Sequence, residues 1–346
     1  MKKALMAVAF LAIVAAPSPF DPHSARLMDG ERIKIDAIPI AFPEGYKSLG
    51  PLRPVSALQL SSRDLRFGGW SGLEVKPNGD LLLLSDRAFL LRGRLELNSD
   101  GGVTGVKDAR IGVLRDYDGQ GAQRKRGDSE GIAQLKNGQH VVSFELTPRL
   151  QFYDFALFGE TALPKDAPAL AQVEKLEANA ALEAVTILPD GAILTGSERG
   201  FGGADKAVLW RVPANAKPGG PAIEPLTTMK LPANFSLTEL TAAPDGAIFA
   251  LFRSYLPILG ARAQIWRYRL IEENGKTSAE GTKLAALETP FPVDNYEGMT
   301  LKTEPDGALR LYIISDDNYR AEQRTLLLAF DLNEKAPETG ASSKSK

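Results

Sequence analysis

Carboxylate side chains recur at one position of this sequence, just before a short apolar run that reads as a β-strand. They are Glu130, Glu183, Glu239 and Glu297. Four carboxylates brought together repel one another unless a cation lies among them. Hard oxygen ligands without sulfur or imidazole favour calcium or magnesium. The pattern predicts a divalent-cation site, with calcium first. The simpler interpretation is that each glutamate caps its own loop.

A second polar position follows the next apolar run in each repeat. It reads Ser85-Asp86-Arg87, Phe144-Glu145, Ser197-Glu198-Arg199, Phe252-Arg253-Ser254 and Ser315-Asp316-Asp317-Asn318. If the two runs are antiparallel strands, the end of the second lies near the start of the first, and both acidic sets share one face. Carboxylates beside arginines suit an anionic ester held next to a metal ion. The predicted catalytic residues are Glu130, Glu297 and Asp316, and the predicted substrate-binding residues are Arg87, Arg199 and Arg253. Ion pairing between neighbouring repeats is the alternative role for each arginine.

Composition excludes several other chemistries. The chain contains no cysteine, which rules out thiolate metal sites, a cysteine nucleophile and disulfides. Its two histidines are His23, in the N-terminal arm, and His140, inside a strand pattern, so neither a histidine zinc site nor a Ser-His-Asp hydrolase is expected. A formal net charge of -2 gives no electrostatic case for nucleic acid or an anionic membrane as a partner.

The N-terminus has the features of a secretory signal. Lys2 and Lys3 precede an apolar stretch at residues 4–16, which is too short to span a membrane as a helix. We expect cleavage within the first 25 residues and a monomeric protein in the periplasm or outside the cell. A single domain is predicted over residues 26–335, followed by a disordered polar tail at 336–346.

The elements that must position these side chains repeat along the chain. Turn sequences ending in glycine separate paired apolar runs, at Asn78-Gly79, Asn137-Gly138, Asp190-Gly191, Asp245-Gly246 and Asp306-Gly307. Such turns indicate β-hairpins, and three or four strands in each repeat of this length indicate propeller blades. Five units are complete, and residues 32–66 hold strand patterns for about one more. The sequence therefore predicts an all-β fold, a six-bladed propeller, with seven or five blades as the alternative counts and a β-sandwich as the rival architecture.

Several of these motifs resemble the phytase-like domain, the "esterase-like activity of phytase" family of exported bacterial proteins. They are Gly69-Trp70-Ser71-Gly72-Leu73, Ser85-Asp86-Arg87, Asp128-Ser129-Glu130-Gly131, Asp294-Asn295-Tyr296-Glu297-Gly298 and Ser315-Asp316-Asp317-Asn318-Tyr319. The resemblance covers residues 65–332. It implies a β-propeller and the hydrolysis of esters or phosphoesters. The chain departs from the family pattern at Ala184, where glycine is expected, at Ala88, and at Glu239, which is shifted by one residue against its turn.

Together these features predict an exported, metal-assisted hydrolase of phosphate or carboxylic esters, with its site at the mouth of the propeller channel. The expected substrate is a small anionic ester. Two alternatives stay open. One is a non-catalytic periplasmic module that binds a ligand or a protein, and the other is a calcium-dependent lactonase. Fold alone does not separate these functions.

Overall fold

The computed structural model describes residues 30–122, 126–256, 260–304 and 307–333. Over these residues, 22 strands form five antiparallel sheets. None of the helices described there is long and apolar enough to cross a membrane. The predicted signal peptide and the polar tail at 336–346 lie outside the described residues.

The five sheets are the blades of a propeller, numbered here along the chain by their innermost strands. Blade 1 contains β1 (Glu31–Arg32) and β4 to β7 (Trp70–Val75, Asp80–Ser85, Phe89–Leu97 and Val103–Val113). Blade 2 contains β8 to β11 (Ser129–Gln134, His140–Phe144, Arg149–Tyr153 and Lys165–Asp166). Blade 3 contains β12 to β15 (Leu182–Ile187, Ile193–Ser197, Lys206–Val212 and Pro225–Lys230). Blade 4 contains β16 to β19 (Ser236–Ala242, Ile248–Leu256, Gly260–Glu273 and Lys276–Leu287). Blade 5 contains β2 (Asp36–Pro39), β3 (Leu52–Ser61) and β20 to β22 (Asn295–Thr303, Leu309–Asp316 and Thr325–Leu332).

Helical structure is confined to the connections between strands. A single-turn α-helix, α1 (Phe155–Phe158), follows β10. Short 3-10 turns occur at Gly159–Thr161, Val173–Lys175 and Phe201–Gly203. The described part of the chain is therefore all-β, as predicted.

The prediction of a propeller is confirmed, but the prediction of six blades is wrong, because the described residues form five. The repeat that begins at β20 supplies only three strands of its own. Strand β3 pairs with β22 and fills the fourth position, and β2 pairs with β3 outside it. Strand β1 pairs with β7 at the outer edge of blade 1. The N-terminal strand patterns thus complete existing blades and leave none for a sixth. The inner strands β4, β8, β12, β16 and β20 contact their neighbours in a closed ring.

The hydrophobic core is divided into five clusters, one between each pair of adjacent blades. Between blades 5 and 1, for example, Leu73 and Leu83 pack with Tyr312 and Ile314. Both faces of most sheets are therefore buried, which explains why runs such as residues 81–84 are apolar at every position rather than alternating. This packing holds the starts of the inner strands at one end of the channel.

All five predicted turn glycines have a positive φ, between 82° and 90°. In each turn the glycine N–H donates a hydrogen bond to the carbonyl of the residue three positions before it. In the first four turns the Asn or Asp before the glycine also accepts the N–H of the residue after it. The sequence therefore located these turns correctly, and in the first four the Asn or Asp before the glycine closes the turn.

Candidate metal and active site

Every inner strand has a β-bulge close to its first residue, at the same end of the channel. The extra residue lies between two residues that pair with the second strand of the same blade. A bulge takes its side chain out of the regular alternation, and bulges are common beside functional sites. The bulge residues of blades 1 to 5 are Ser71, Glu130, Glu183, Thr238 and Glu297.

A second row of side chains follows from the register between the inner and second strands. Trp70 pairs with Ser85 in blade 1, so Asp86 is the next residue beyond the paired region at the channel mouth. The same position in blades 1 to 5 is held by Asp86, Glu145, Glu198, Arg253 and Asp316. The structure thus places both acidic positions of the repeat on one face, with a single guanidinium in the second row.

Glu239 lies outside this arrangement, which corrects its assignment to the metal site. Because the bulge of β16 falls on Thr238, Glu239 is the next residue and pairs with Leu251 inside the strand. Its Oε1 accepts hydrogen bonds from the backbone N–H groups of Val185 at 3.1 Å and Leu240 at 2.8 Å. Glu239 is fully buried and joins blades 3 and 4, as the loop-cap alternative described.

Donor groups hold the carboxylate of Glu297 in blade 5. Asn295 Nδ2 donates to Glu297 Oε1 at 2.8 Å, and Ser71 Oγ donates to Oε2 at 3.3 Å. Asn295 Nδ2 also lies 3.4 Å from Asp316 Oδ2, which links the two carboxylates. Burial raises the pKa of Glu297, and the Arg253 guanidinium opposes that shift. These contacts fix Glu297 and Asp316 in one orientation.

Arg253 occupies the second-row position of blade 4 and compensates the acids beside it. Its Nε lies 3.2 Å from Glu297 Oε1, and its terminal nitrogen lies 3.7 Å from Glu198 Oε1. The side chain is 31% exposed. Because two carboxylates already engage this guanidinium, the structure places Arg253 as a counter-charge within the site, in place of the free substrate-binding group that the sequence predicted.

Blades 2 and 3 carry the densest group of carboxylates, the Glu145 cluster. It consists of two overlapping sets, Asp128 with Glu130 and Glu145, and Glu145 with Glu183 and Glu198. Within each set, one oxygen of every residue lies within 4.8 Å of the others. No ion pair connects Glu130, Glu145 or Glu183 to a cationic side chain among the described residues. The cluster could hold a divalent cation through oxygen ligands alone.

The surroundings of this cluster raise the pKa values of its acids. For Glu130 and Glu183 burial is the largest cause, followed by the negative charge of neighbouring carboxylates, and both pKa values lie well above the ordinary range. Burial, with the charges of Asp128 and Glu198, raises the pKa of Glu145 to about 8. Without a cation, the folded protein therefore favours protonated forms of these side chains.

The blade 1 side of the mouth carries a titratable group beside an arginine. Burial raises the pKa of Asp86 to about 7, against the opposing charge of Arg87. The Arg87 guanidinium lies over the ring of Tyr319, 3.7 Å from its centroid. Ser85 Oγ and the Tyr319 hydroxyl lie 2.9 Å apart. Arg199, at the blade 3 side, has no ion pair to any residue that the structure describes.

Four residues of the two rows and their surroundings were present in the sequence motifs without a predicted role, namely Asp86, Asp128, Glu145 and Glu198. Strand register identifies these positions, because in blades 1 to 3 the residue after the last paired residue of the second strand lies at the mouth, and in blades 4 and 5 the equivalent residue is the last paired one. Beyond the two rows, the channel continues into a cavity of about 190 Å³ lined by Leu73, Ile132 and neighbouring inner-strand residues. The acidic rows therefore lie at one end of the channel.

Comparison with solved structures found distant similarities. Gluconolactonase from Xanthomonas campestris is 11% identical, with a TM-score of 0.38 over 87% of this chain and 98% of its own. Virginiamycin B lyase from Staphylococcus aureus is 14% identical, with a TM-score of 0.35 over 88% of this chain and 75% of its own. At these identities and TM-scores the similarities carry no argument about activity. No curated protein sequence matches this chain.

The family comparison is more specific. Residues 65–319 match the family described as "Phytase-like: Esterase-like activity of phytase". The matched region begins just before the bulge at Ser71 and ends at Tyr319, so it includes both rows of the mouth and the inner strand of every described blade. This chain therefore belongs to the phytase-like family.

Proposed function

We propose that this protein is a divalent-cation-dependent hydrolase of small anionic esters, phosphate or carboxylic, acting at the channel mouth. The observation that carries the proposal is the Glu145 cluster, a group of buried and half-buried carboxylates in which Glu130, Glu145 and Glu183 form no ion pair with a cationic side chain among the described residues. The family description, with its esterase-like activity, supports hydrolysis as the reaction class.

The residues of the cluster fit a hard divalent cation. Glu130 is 6% exposed, and its carboxylate has no hydrogen bond or ion pair to any described residue. A buried carboxylate without a partner is costly unless it is protonated or coordinated. The side chains that would hold the cation are Asp128, Glu130, Glu145, Glu183 and Glu198. A cation bound there would polarise the ester oxygen and lower the pKa of a bound water molecule.

The opposite side of the mouth supplies fixed carboxylates and a proton carrier. Glu297 and Asp316 are oriented by Asn295 and offer acceptors to an attacking water molecule. Asp86, with a pKa of about 7, can hold a proton at Oδ1 or Oδ2 or give it up near neutral pH. We assign it to proton transfer toward the leaving group.

Arg87 and Arg199 are proposed to hold the anionic part of the substrate. Arg87 is positioned by stacking on Tyr319, and no described carboxylate forms an ion pair with it. A planar guanidinium can then donate two parallel hydrogen bonds to a carboxylate or phosphate. A lactone would engage the same groups as an open ester, so lactone hydrolysis falls within this proposal.

We also propose export, on the basis of Lys2, Lys3 and the apolar stretch at residues 4–16. Intact-mass measurement of protein from a periplasmic fraction should show the loss of about 16–25 residues. A full-length product confined to the cytoplasm would contradict export.

The enzymatic proposal is tested by a screen of p-nitrophenyl acetate, p-nitrophenyl phosphate and a sugar lactone. Rates are measured after chelation and again with calcium, magnesium or manganese added back. We expect cation-dependent hydrolysis that is lost in Glu145→Gln and retained in Glu239→Gln. A folded protein that binds calcium yet hydrolyses none of these classes would favour the ligand-binding module.

A further inference from the structure

We infer that the Glu145 cluster binds two divalent cations side by side, with Glu145 as the ligand shared between them. This inference rests on the proposed function, because it specifies the composition of the proposed metal site. It differs from the single axial cation that a symmetric ring of four glutamates would hold.

The geometry of the cluster has two centres rather than one. Asp128 and Glu130 lie with Glu145 in the first set, and Glu183 and Glu198 lie with Glu145 in the second. In each set one oxygen per residue lies within 4.8 Å of the others, and only Glu145 belongs to both. A carboxylate has two oxygens, so Glu145 can present one to each cation. Paired metal ions in hydrolytic sites are typically about 3.5–4 Å apart.

The distribution of charge also requires compensation on both sides of Glu145. Arg253, the guanidinium of the second row, lies within ion-pair distance of Glu198 and Glu297 but not of Glu130. Glu130 is 94% removed from solvent, with its carboxylate in the first set and unpartnered among the described residues. A cation confined to the second set would leave Glu130 uncompensated, and one confined to the first would leave Glu183 with only its hydrogen bond to Glu145 and the more distant charge of Arg253.

The other acidic residues of the mouth limit the number of cations to two. Glu297 occupies the bulge position equivalent to Glu130 and Glu183, but Asn295, Ser71 and Arg253 already satisfy its oxygens. In blade 4 the bulge residue is Thr238, which has no charge. Among the described residues, the bulge row therefore offers glutamates without an ion pair to a cationic side chain only at Glu130 and Glu183, in blades 2 and 3, so the metal site is displaced from the channel axis.

Stoichiometry tests the inference without any variant. Chelated protein is equilibrated by dialysis against calcium chloride, and bound calcium is measured by elemental analysis. We expect two calcium ions per chain. With manganese in place of calcium, the electron paramagnetic resonance spectrum should show the exchange coupling of a pair of ions in close contact.

Variants identify the ligands of each ion. Glu130→Gln and Glu198→Gln should each bind one calcium and lose the manganese coupling, since each removes a ligand from only one set. Glu145→Gln should lower the affinity of both sites at least tenfold. Glu239→Gln is the matched control, a buried glutamate outside the cluster, and should bind two. Melting curves in chelator confirm that each variant is folded.

The possible outcomes separate this inference from the proposed function. One calcium per chain in the parent protein, with a manganese spectrum of isolated ions, would overturn the pair and leave a one-metal hydrolase standing. Two calcium ions without hydrolysis of any ester class would support the pair and refute the enzymatic proposal. No bound calcium would overturn both.

Discussion

Glu145→Gln should stabilise the protein when no cation is present. Glu145 is the centre of the carboxylate cluster, and burial with neighbouring negative charges raises its pKa from 4.5 to about 8. The folded state therefore holds this proton more tightly than the unfolded chain does. The penalty for ionising Glu145 in the fold is small below the unfolded pKa and grows as pH rises toward the folded pKa.

The magnitude follows from the size of that shift. At 1.36 kcal/mol per pKa unit, removal of the ionisable group should raise the unfolding free energy by about 4 kcal/mol at pH 8 and by about 1 kcal/mol at pH 5. The glutamine amide keeps an oxygen to accept the backbone N–H of Ala181, which hydrogen-bonds to the carboxyl in the parent protein. Lost hydrogen bonding to Glu183 reduces the gain by about 1 kcal/mol.

The assay is urea unfolding in chelator at pH 5 and pH 8, repeated at pH 8 with saturating calcium. Parent protein should gain about 2.7 kcal/mol for each site at calcium a hundred times the dissociation constant, and Glu145→Gln should gain little. The variant is thus more stable than the parent in chelator by about 3 kcal/mol, and saturating calcium should reverse that order, because two sites add about 5 kcal/mol to the parent.

Glu239→Gln is the control for this experiment. This variant changes a buried glutamate outside the cluster. Its Oε1 accepts hydrogen bonds from two backbone N–H groups. It should retain the full calcium-dependent gain. If Glu145→Gln proves less stable than the parent at pH 8 in chelator, or has the same effect at both pH values, the account of the cluster as mutually repelling acids fails.

Three further predictions follow from other parts of the molecule. Arg253→Met should lower the unfolding free energy in chelator at pH 8 by roughly 2–3 kcal/mol, less than for a fully buried pair because the side chain is 31% exposed. The loss should shrink at pH 5, where Glu297 is more fully protonated. Gly246→Val should lower the unfolding free energy by about 1–3 kcal/mol, as measured by urea unfolding. The cause is the φ of 82° alone, because no atom lies within 4 Å of the added Cβ. Arg87→Lys should raise KM for an anionic ester several-fold with a smaller change in kcat, since lysine cannot reproduce the planar stack on Tyr319. Equal loss of affinity for a neutral ester would contradict an anion-binding role.

The sequence predicted the blade architecture well because the repeat is local. The first four Asn-Gly or Asp-Gly turns each combine a glycine with positive φ and a side chain that closes the turn, so both signals lie within four residues. The number of blades was harder to predict. Strands at residues 36–39 and 52–61 look like the beginning of a blade, but they complete the last one by pairing with β22. This closure depends on contacts between the ends of the chain, which local pattern does not contain.

Alignment on the turn glycines placed the first polar position of each repeat to within one residue of the bulge, and in blade 4 the difference of one residue changes which side chain faces the mouth. Aligning on turn glycines placed Glu239 with the other glutamates, whereas the bulge register assigns that position to Thr238. Asp128 and Glu145 were visible in the motifs, but their proximity to Glu130 depends on the register between β8 and β9, and the proximity of Glu145 to Glu183 and Glu198 depends on the packing of blades 2 and 3. The role of Arg253 likewise depended on its distances to acids from two other blades.

The most direct test of the central claim is the location of bound cations in crystals grown with manganese. An anomalous difference map at the manganese absorption edge reports metal positions independently of any activity. The account predicts peaks within about 2.6 Å of carboxylate oxygens of the Glu145 cluster, on the side of blades 2 and 3. A peak on the channel axis shared equally with Glu297, or a cluster without any peak at saturating manganese, would contradict it.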